Sequence, residues 1–171
     1  MSAVGQEDGP ARCFAPVVNA DTRVLILGSL PGVASLAAQQ YYAHPRNQFW
    51  PLLAAVLAQP ELPALDYPQR LARLQAHGVG LWDVVAQAQR RGSLDTAIRA
   101  AQRNDLARLV ASLPALRLVA FNGATAARAA DQLAGFPALT VLRLPSSSPA
   151  YTLALAEKQR AWQALAEAIV R

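Results

Sequence analysis

Four short, nearly continuous apolar segments constrain the fold of this chain more than any other feature of its sequence. Strands that are apolar on both faces are typical of a parallel sheet that helices cover on both sides, with right-handed crossovers between the strands. The pattern therefore predicts an α/β fold, with three α/β/α layers built around a four-stranded parallel sheet. The four segments are RVLILG (23–28), VGLWDVV (79–85), LRLVAFNG (116–123) and LTVLRLP (139–145).

Apolar residues at helical spacing fill the segments between these runs. The predicted order of elements is β-α-β-α-β-α-β-α, and asparagine, threonine and glycine supply its start and stop signals. The helical stripes are Phe49, Leu52, Leu53, Val56 and Leu57; Leu71 and Leu74, stopped by Gly78; Leu106, Leu109, Val110 and Leu113, capped by Asn104; ATAARAADQLAG (124–135); and Leu155, Trp162, Leu165 and Ile169, opened by Thr152.

The length and composition suit one globular domain. Of the 171 residues 53% are apolar and 16% are charged, which is enough apolar material to fill a core. We predict a single domain over residues 1–171, with residues 1–20 as an N-terminal arm. The first twelve residues lack the pattern of a secretory signal, and no apolar segment approaches the roughly 18 residues that span a bilayer. We therefore expect a cytoplasmic protein without membrane contact.

The few cysteine and histidine residues argue against metal chemistry. Cys13 is the single cysteine, and His44 and His77 are the two histidines. One cysteine excludes an internal disulfide, and an iron–sulfur cluster needs about four thiolates. The histidines stand far apart, without the spacing of a metal site. We expect no metal and no other cofactor.

The charge balance is basic. Sixteen Lys and Arg residues stand against eleven Asp and Glu residues, which gives a formal net charge of +5 and a pI near 10.1. Such a balance favours a polyanionic partner, because neutralised phosphates release counterions. The same arginines can also simply solvate helix faces, so the charge alone leaves nucleic acid binding and an ordinary surface both open.

Parallel α/β sheets bind ligands beyond the carboxyl ends of their strands. This rule selects Gly28–Gly32, Asp83, Asn122 with Gly123, and LPSSSPAYT (144–152). The first of these is neither a dinucleotide fingerprint nor a phosphate loop with its lysine. Its glycines either supply positive φ angles in a turn or let the backbone approach a ligand closely.

Flat side chains and one amide follow this turn within twenty residues. Tyr41, Tyr42, Phe49 and Trp50 are either core residues or the walls of a pocket for something flat. Asn47 is either the cap of the following helix or an amide that contacts a ligand. His44 precedes a proline, and we interpret it as a structural loop residue.

Polar groups also follow the second and fourth strands. Asp83 lies in an apolar strand, where a carboxylate must find partners or stay protonated; its alternatives are a cap or an ion pair with Arg90 or Arg91. Two prolines bracket Ser146–Ser148 before a helix start, which suits a phosphate but is also an ordinary turn. No serine-nucleophile elbow surrounds these serines.

Several of these segments together resemble the uracil-DNA glycosylase superfamily, and most closely its hypoxanthine-DNA (deoxyinosine) glycosylase branch. The resemblance covers roughly residues 22–152 and implies a flipped base held at the carboxyl edge of a four-stranded parallel sheet, without metal or other cofactor. The segments that carry it are GSLPGVASLAAQQYYAHPRNQFW (28–50), GLWDVV (80–85), RRGSLD (90–95), VAFNG (119–123) and LPSSSPA (144–150).

The resemblance implies roles for particular residues. Asn47 matches the asparagine of the AHPxNxFW segment that this branch uses in catalysis, and Asp83 matches a side chain that reads the base from the second strand. Tyr42 matches the ring that stacks on the extruded base, with Phe49 as the alternative platform. The other implied contacts are to the base from Gly28, Ser29, Leu30, Pro31, Gly32 and Asn122, and to DNA phosphates from Ser146, Ser147 and Ser148.

Two positions depart from the superfamily pattern. Leu30 stands where other branches place an Asp or Asn that positions water, and Leu144 stands where several begin the second motif with His or Asn. Both departures argue against strong uracil excision. They leave Asn47 and Asp83 as the residues expected to carry the chemistry.

The predicted function is that of a monofunctional DNA glycosylase, which excises a deaminated base, hypoxanthine, from double- or single-stranded DNA in base excision repair. The alternatives are a uracil or G:U mismatch-specific glycosylase of the same superfamily, a non-catalytic nucleic-acid binding module, and a small-molecule hydrolase that uses Ser147 or Cys13. Lys158 is the only lysine and lies outside the motifs, so no Schiff-base lyase step is expected. We expect a monomer that associates with the nucleoid when it acts.

Overall fold

The computed structural model describes residues 10–170 of the chain. Seven strands and seven α-helices lie in this part of the sequence, with three short 3-10 segments between them. The strands are β1 (Ala11–Arg12), β2 (Val24–Gly28), β3 (Val79–Asp83), β4 (Val85–Gln89), β5 (Arg99–Arg103), β6 (Leu118–Asn122) and β7 (Thr140–Leu144); the helices are α1 (Val33–Ala38), α2 (Phe49–Leu57), α3 (Tyr67–Ala76), α4 (Leu106–Ala111), α5 (Ala124–Ala127), α6 (Leu155–Trp162) and α7 (Leu165–Val170); the 3-10 segments are Leu62–Ala64, Asp95–Ala97 and Arg128–Leu133.

The predicted four-stranded parallel sheet is confirmed. Its strand order is β3-β2-β6-β7, and each neighbouring pair is parallel. The register pairs Gly28 with Asp83 and Asn122 with Leu144, so these four residues end their strands at one edge of the sheet. The strand order reverses between β2 and β6, which is the point where such sheets bind their ligands.

Helices cover both faces of this sheet, as the apolar strands predict. Alternate residues of β2 point to opposite sides: Val24 and Ile26 join one core, and Leu25 and Leu27 join the other. Helices α2, α3, α6 and α7 pack on the first side, while α4 and α5 pack on the second. The α/β/α layering therefore follows from strands that are buried on both faces.

A second sheet was not predicted. It is three-stranded and antiparallel, in the order β1-β4-β5, and its strand β4 begins two residues after Asp83. The run at 79–85 was therefore wrongly taken as one strand: it ends at Asp83, and Val85 belongs to the second sheet. Residues VAQAQ and RAAQR of β4 and β5 are poor in β-branched and aromatic side chains, so their composition gives little strand signal.

Two predicted helix starts are wrong. Asp105, not Asn104, caps α4, because its Oδ1 accepts a hydrogen bond from the backbone N–H of Arg108 at 3.0 Å. The last helical region begins at Leu155 after the cap residue Ala154, three residues beyond Thr152. Asn104 has a different partner: its Nδ2 donates to the main-chain carbonyl of Asp83 at 2.7 Å and so holds the end of β3.

The described part of the predicted N-terminal arm packs on the domain. Residues 11 and 12 pair with β4, and Val17 forms an isolated bridge with Leu81 of β3. Residues 1–9 of that arm lie outside the described part of the chain. Across residues 10–170, no helix has both the length and the apolar character needed to cross a membrane.

Candidate active site

A cavity of about 480 Å³ opens at the carboxyl edge of the parallel sheet, where the strand order reverses. Small-molecule sites in proteins usually have volumes of about 300–1,000 Å³. Its wall contains residues from all four predicted positions: Gly28–Gly32 after β2, Asp83 at the end of β3, Asn122 at the end of β6, and Ser146–Ser148 after β7. The sheet topology thus brings together segments that are more than a hundred residues apart.

Gly28 ends β2 beneath this cavity and allows two polar side chains to approach the backbone. A Cβ atom at this position would lie 2.6 Å from Asp83 Oδ1 and 2.9 Å from the Tyr42 hydroxyl. Neither Gly28 nor Gly32 has the positive φ angle that the turn alternative requires. Close approach, rather than a left-handed turn, is therefore the reason for glycine at position 28.

Replacing Gly28 by alanine tests this close packing. The added methyl group must displace Asp83 or Tyr42, and such overpacking typically costs about 1–3 kcal/mol in the free energy of unfolding. Gly135 is a matched control, since its added Cβ would have no neighbour within 4 Å. Denaturant titration of the two variants is expected to show a loss of stability for Gly28→Ala only. Equal stabilities would show that the turn tolerates the methyl group.

Tyr42 forms an aromatic wall of the cavity, with Phe49 behind it. The two rings stack with a centroid distance of 3.8 Å and an interplanar angle of 10°. Phe49 is fully buried and does not line the cavity, so it supports Tyr42 rather than facing a ligand. Tyr42 has a φ of +56°, a left-handed conformation that costs about 1–3 kcal/mol and often occurs at functional sites.

Asp83 is the buried carboxyl group of the cavity. The residue is 4% exposed, and its Oδ2 has no hydrogen-bond partner among residues 10–170. Burial and, to a smaller degree, the negative charge of Asp95 raise the pKa of Asp83 to about 7, while Arg90 lowers it. The predicted alternative of an ion pair with Arg90 or Arg91 is not observed. Protonated and ionised Asp83 therefore coexist near neutral pH.

Asn47 lies just before α2 and faces the cavity, and the cap residue of this helix is Gln48 rather than Asn47. Its Oδ1 accepts a hydrogen bond from the backbone N–H of Phe49 at 2.9 Å, at the start of α2. Within the described chain its Nδ2 donates to no other residue, and Asn47 lines the cavity. The hydrogen bond from the Phe49 N–H fixes the amide, so the Nδ2–H groups of Asn47 remain free to donate to a ligand.

Asn122 connects the end of β6 to the serine loop. Its Nδ2 donates to Ser147 Oγ at 2.9 Å and to the Tyr42 hydroxyl at 3.4 Å, and its Oδ1 accepts from the backbone N–H of Ser147 at 2.9 Å. Ser147 is 1% exposed, which leaves Ser146 and Ser148 as the accessible hydroxyls of the loop. A nucleophilic Ser147 has no support from this environment.

Lys158 lies beneath the same loop, although its position in the sequence did not indicate this. It is 1% exposed, and its Nζ donates to Gln48 Oε1 at 2.8 Å and to the carbonyl of Ser148 at 3.3 Å. Desolvation lowers its pKa. The lysine thereby links the residue next to Asn47 with the serine loop, and it is not part of the cavity wall.

Asp95 is an acidic residue of the cavity wall that sequence reasoning did not single out. It starts the 3-10 segment Asp95–Ala97, and its Oδ1 accepts a hydrogen bond from Ser29 Oγ at 2.6 Å. Arg90 Nη1 lies 3.9 Å from the same oxygen. The only indication of Asp95 in the sequence was its place in the RRGSLD segment. Its contact with Ser29 joins residues that are 66 positions apart, and such a contact leaves no local pattern.

The described residues contain no group of three or more His, Cys, Asp or Glu side chains that could hold a metal ion. Asp83 and Asp95 are the two carboxyl groups of the cavity wall, and His44 is its one histidine within the described chain. The polar groups at hand are therefore suited to hydrogen bonding and proton transfer.

Comparisons with known proteins agree with the family resemblance of the sequence. Residues 15–166 match the family model of the uracil DNA glycosylase superfamily. The chain is 43% identical over 110 residues to the hypoxanthine DNA glycosylase of Methanosarcina barkeri, covering 64% of this chain and 69% of that protein. It is 37% identical over 154 residues to the hypoxanthine DNA glycosylase of Methanosarcina acetivorans, covering 90% of this chain and 96% of that protein.

A solved structure has the same fold. The solution NMR structure of a candidate uracil DNA glycosylase from Methanosarcina acetivorans superposes with a TM-score of 0.85 at 34% sequence identity. The match covers 95% of this chain and all of that one. Sequence and fold therefore agree over nearly the whole chain.

Proposed function

Because the chain belongs to the uracil DNA glycosylase superfamily, we propose that it is a monofunctional DNA glycosylase that excises the deaminated base hypoxanthine from DNA. The observation that carries this proposal is the cavity wall, in which the Tyr42 ring, the Asp83 carboxyl group and the Asn47 amide meet at the carboxyl edge of the sheet. The names of the two Methanosarcina relatives support hypoxanthine as the base. The reaction hydrolyses the bond between base and deoxyribose and leaves an abasic site.

The target nucleotide must leave the duplex to reach this cavity. Extrusion costs a few kcal/mol and is easiest at a mispair. One face of Tyr42 is covered by Phe49, so its other face is the one available to the extruded base. Stacking of a base on an aromatic side chain contributes about 1–3 kcal/mol, which offsets much of that cost.

Asp83 is suited to read the edge of the base. Hypoxanthine presents an N–H and a neighbouring carbonyl oxygen, and a carboxyl group can accept from the first when ionised or donate to the second when protonated. The Oδ2 atom of Asp83 has no protein partner among residues 10–170 and is buried, so a base that pairs with it relieves an unfavourable state. Adenine has an acceptor at N1 and an amino group at C6, so an ionised carboxyl group placed to accept from N1–H of hypoxanthine would face a lone pair of adenine, and this disfavours adenine at that edge.

Asn47 acts in the chemical step by positioning. An amide cannot take a proton from water at neutral pH, but its N–H groups can hold the base or the attacking water in place. Charge that develops as the base departs is stabilised by such fixed donors, which need no reorganisation. The hydrogen bond from the Phe49 N–H to Asn47 Oδ1 provides the required rigidity.

The DNA backbone is held by the rim of the cavity. Ser146 and Ser148 are partly exposed in the serine loop, and Arg46 and Arg91 are exposed cations next to cavity-lining segments. Cations and hydroxyl donors of this kind contact phosphates without reading sequence. Ser147 is expected to contribute through the loop backbone, because its hydroxyl is buried against Asn122.

The burial of Lys158 supports a monofunctional enzyme. A lyase step needs an amine that reaches the sugar carbon after base release. The Nζ atom of Lys158 is engaged by Gln48 and Ser148 behind the cavity wall. We further propose that the protein acts as a monomer in the cytoplasm, at the nucleoid.

A uracil or G:U mismatch-specific activity is the second candidate. The observation that favours it is the similarity to the NMR structure of the candidate uracil DNA glycosylase, at 34% identity. Uracil also presents an N–H between carbonyl groups, so the same Asp83 carboxyl group could pair with it. The two candidates differ in which base is excised fastest.

A single-turnover excision panel distinguishes these functions. Matched duplexes carry inosine, uracil, xanthine or no lesion, and abasic product is measured with the purified full chain. We expect inosine to react fastest, by about tenfold or more over uracil. Faster release of uracil would favour the second candidate. Salt-sensitive binding of all duplexes without any product would indicate a binding module.

A further inference from the structure

Asp95 places a second carboxylate in the cavity, and the roles assigned above leave it without a function. Ser29 Oγ and Arg90 Nη1 both approach its Oδ1, at 2.6 and 3.9 Å. No residue in the described part of the chain donates a hydrogen bond to Oδ2. Oδ2 is therefore the oxygen through which Asp95 can bind a ligand or a water in the cavity.

The loop that carries Asp95 is fixed to the turn after β2. Ser93 Oγ accepts a hydrogen bond from the backbone N–H of Val33 at 2.9 Å, and Arg90 donates to the carbonyls of Leu30 and Pro31. The carboxylate is thus held in place without a ligand. Pre-positioned groups of this kind stabilise a transition state without the cost of ordering them during the reaction.

The other titratable side chains discussed for the cavity are buried or already hydrogen-bonded within the protein. His44 Nδ1 accepts from the backbone N–H of Arg46 at 3.1 Å, so in the neutral ring Nε2 carries the proton. Asp83 and Tyr41 are buried, and the Tyr42 hydroxyl accepts a hydrogen bond from Asn122 Nδ2 at 3.4 Å. Asp95 is partly exposed, and Ser29 Oγ and Arg90 Nη1 lie beside its Oδ1, so its carboxylate is accessible from the cavity.

We propose that Asp95 is a catalytic residue that binds the nucleophilic water through Oδ2 and accepts its proton. This inference rests on the proposed glycosylase function. The water oxygen forms a bond to C1′ of the deoxyribose, while the C1′–N9 bond breaks and its electron pair leaves with hypoxanthine. One water proton passes to Asp95 and then to solvent, the other stays on the new hydroxyl group, and the departing base takes up a proton from solvent.

The position of Asp95 explains how the turn after β2 functions without an acid of its own. Leu30 occupies the place where a water-positioning side chain was expected, and it is buried. Its neighbour Ser29 instead holds a carboxylate that comes from the loop before β5. Ser29 connects the turn after β2 with Asp95, because removal of the Ser29 hydroxyl would release the Oδ1 atom of Asp95.

The test is the single-turnover rate constant of Asp95→Asn on an inosine duplex. Asparagine keeps an oxygen that can accept from Ser29 but cannot take a proton. Loss of a general base typically lowers a rate by 10²-fold or more, so we expect a decrease of about 100-fold. Binding to the same duplex is expected to stay within about threefold of wild type, because Asp95 does not bind phosphate. Asp131→Asn removes the same charge from an exposed ion pair with Arg103 and is expected to react like wild type.

Chemical rescue separates proton transfer from structural support. Asp95→Ala opens space for a small carboxylate, and formate is expected to restore part of its rate, whereas chloride at the same ionic strength is not. Equal ionic strength is required because DNA binding is sensitive to salt. A structural role of Asp95 would give no difference between the two anions.

The outcomes separate this inference from the proposed function. Wild-type excision of hypoxanthine establishes the function independently of Asp95. An Asp95→Asn rate within threefold of wild type overturns the inference, as does a loss of rate that is matched by loss of binding and absence of formate rescue. A slow, tightly binding variant together with formate rescue of Asp95→Ala supports it.

Discussion

Replacement of Asn47 by alanine is expected to lower the single-turnover rate of base excision by up to about 1,000-fold, while DNA binding changes little. The amide of Asn47 lines the cavity, and its orientation is fixed by the hydrogen bond from the Phe49 N–H. Removal of one fixed donor from a transition state typically costs 10²–10³ in rate. Rate and binding are measured with the same inosine duplex.

The structural role of the Asn47 side chain requires its own control. Alanine also removes the hydrogen bond from the Phe49 N–H, and a bond of this kind contributes about 1 kcal/mol to the free energy of unfolding. Asn19 supplies a matched case, because its Oδ1 accepts from the N–H of Asp21 two residues on, at 2.9 Å, near the opposite edge of the sheet. Asn19→Ala should lose a similar amount of stability and none of the activity. If the folded Asn47→Ala enzyme excised the base at the normal rate, a role of Asn47 in the chemical step would be excluded.

Replacement of Asp83 by asparagine is expected to stabilise the protein at pH 8 and to impair excision. Burial and the charge of Asp95 raise the pKa of Asp83 to about 7 in the folded state, from 3.8 as its ordinary value. The folded state therefore binds this proton more tightly than the unfolded chain does. The contribution of the Asp83 carboxyl group to the free energy of unfolding is fully present below pH 4 and is lost as the pH rises through 7.

Asparagine cannot ionise, so the free energy of unfolding of Asp83→Asn does not decrease as the pH rises through 7. A shift of about three units corresponds to up to about 4 kcal/mol in the free energy of unfolding. We expect Asp83→Asn to be more stable than wild type by a few kcal/mol at pH 8, and similar to wild type near pH 4. Denaturant titrations at the two pH values measure both differences. A variant that is equally stable or less stable at pH 8 would contradict a buried carboxyl group of raised pKa.

The substitution Asp83→Asn is also expected to lower the activity. An amide in place of the Asp83 carboxyl group keeps its shape but offers a weaker acceptor to the base, and a hydrogen bond to a charged group is worth about 1.5–3 kcal/mol. Excision of hypoxanthine is therefore expected to fall by about 10- to 100-fold. Gains of stability with loss of function are typical of active-site residues.

The sequence predicted the layers of the fold because the strands of the parallel sheet are buried on both faces. Each of β2, β3, β6 and β7 lies within a predicted apolar run, and the carboxyl-edge rule brought Gly28, Asp83, Asn122 and the serine loop together. The local sequence pattern was sufficient to predict the parallel sheet, because strands that are buried on both faces are continuously apolar.

The missed features depend on long-range contacts. The second sheet consists of strands rich in Ala, Gln and Arg, and its pairing carries the loop of Asp95 back to Ser29. Lys158 reaches Gln48 across 110 residues. Neither contact leaves a periodic pattern in the sequence. The sequence likewise could not decide which ring faces the cavity, because the stacking of Phe49 behind Tyr42 depends on the direction in which the chain enters α2.

The most direct test of the proposed activity is identification of the products formed from a duplex that contains one inosine. Mass spectrometry of the released base and electrophoresis of the labelled strand, before and after alkali, measure both products of the same reaction. We predict free hypoxanthine in amounts equal to the abasic sites formed, and a strand that is cleaved only after alkali treatment. Asn47→Ala should form neither product on the same timescale. Release of a nucleoside or nucleotide in place of the free base, or no release by the folded wild-type protein, would contradict the assignment of this cavity to N-glycosidic bond hydrolysis.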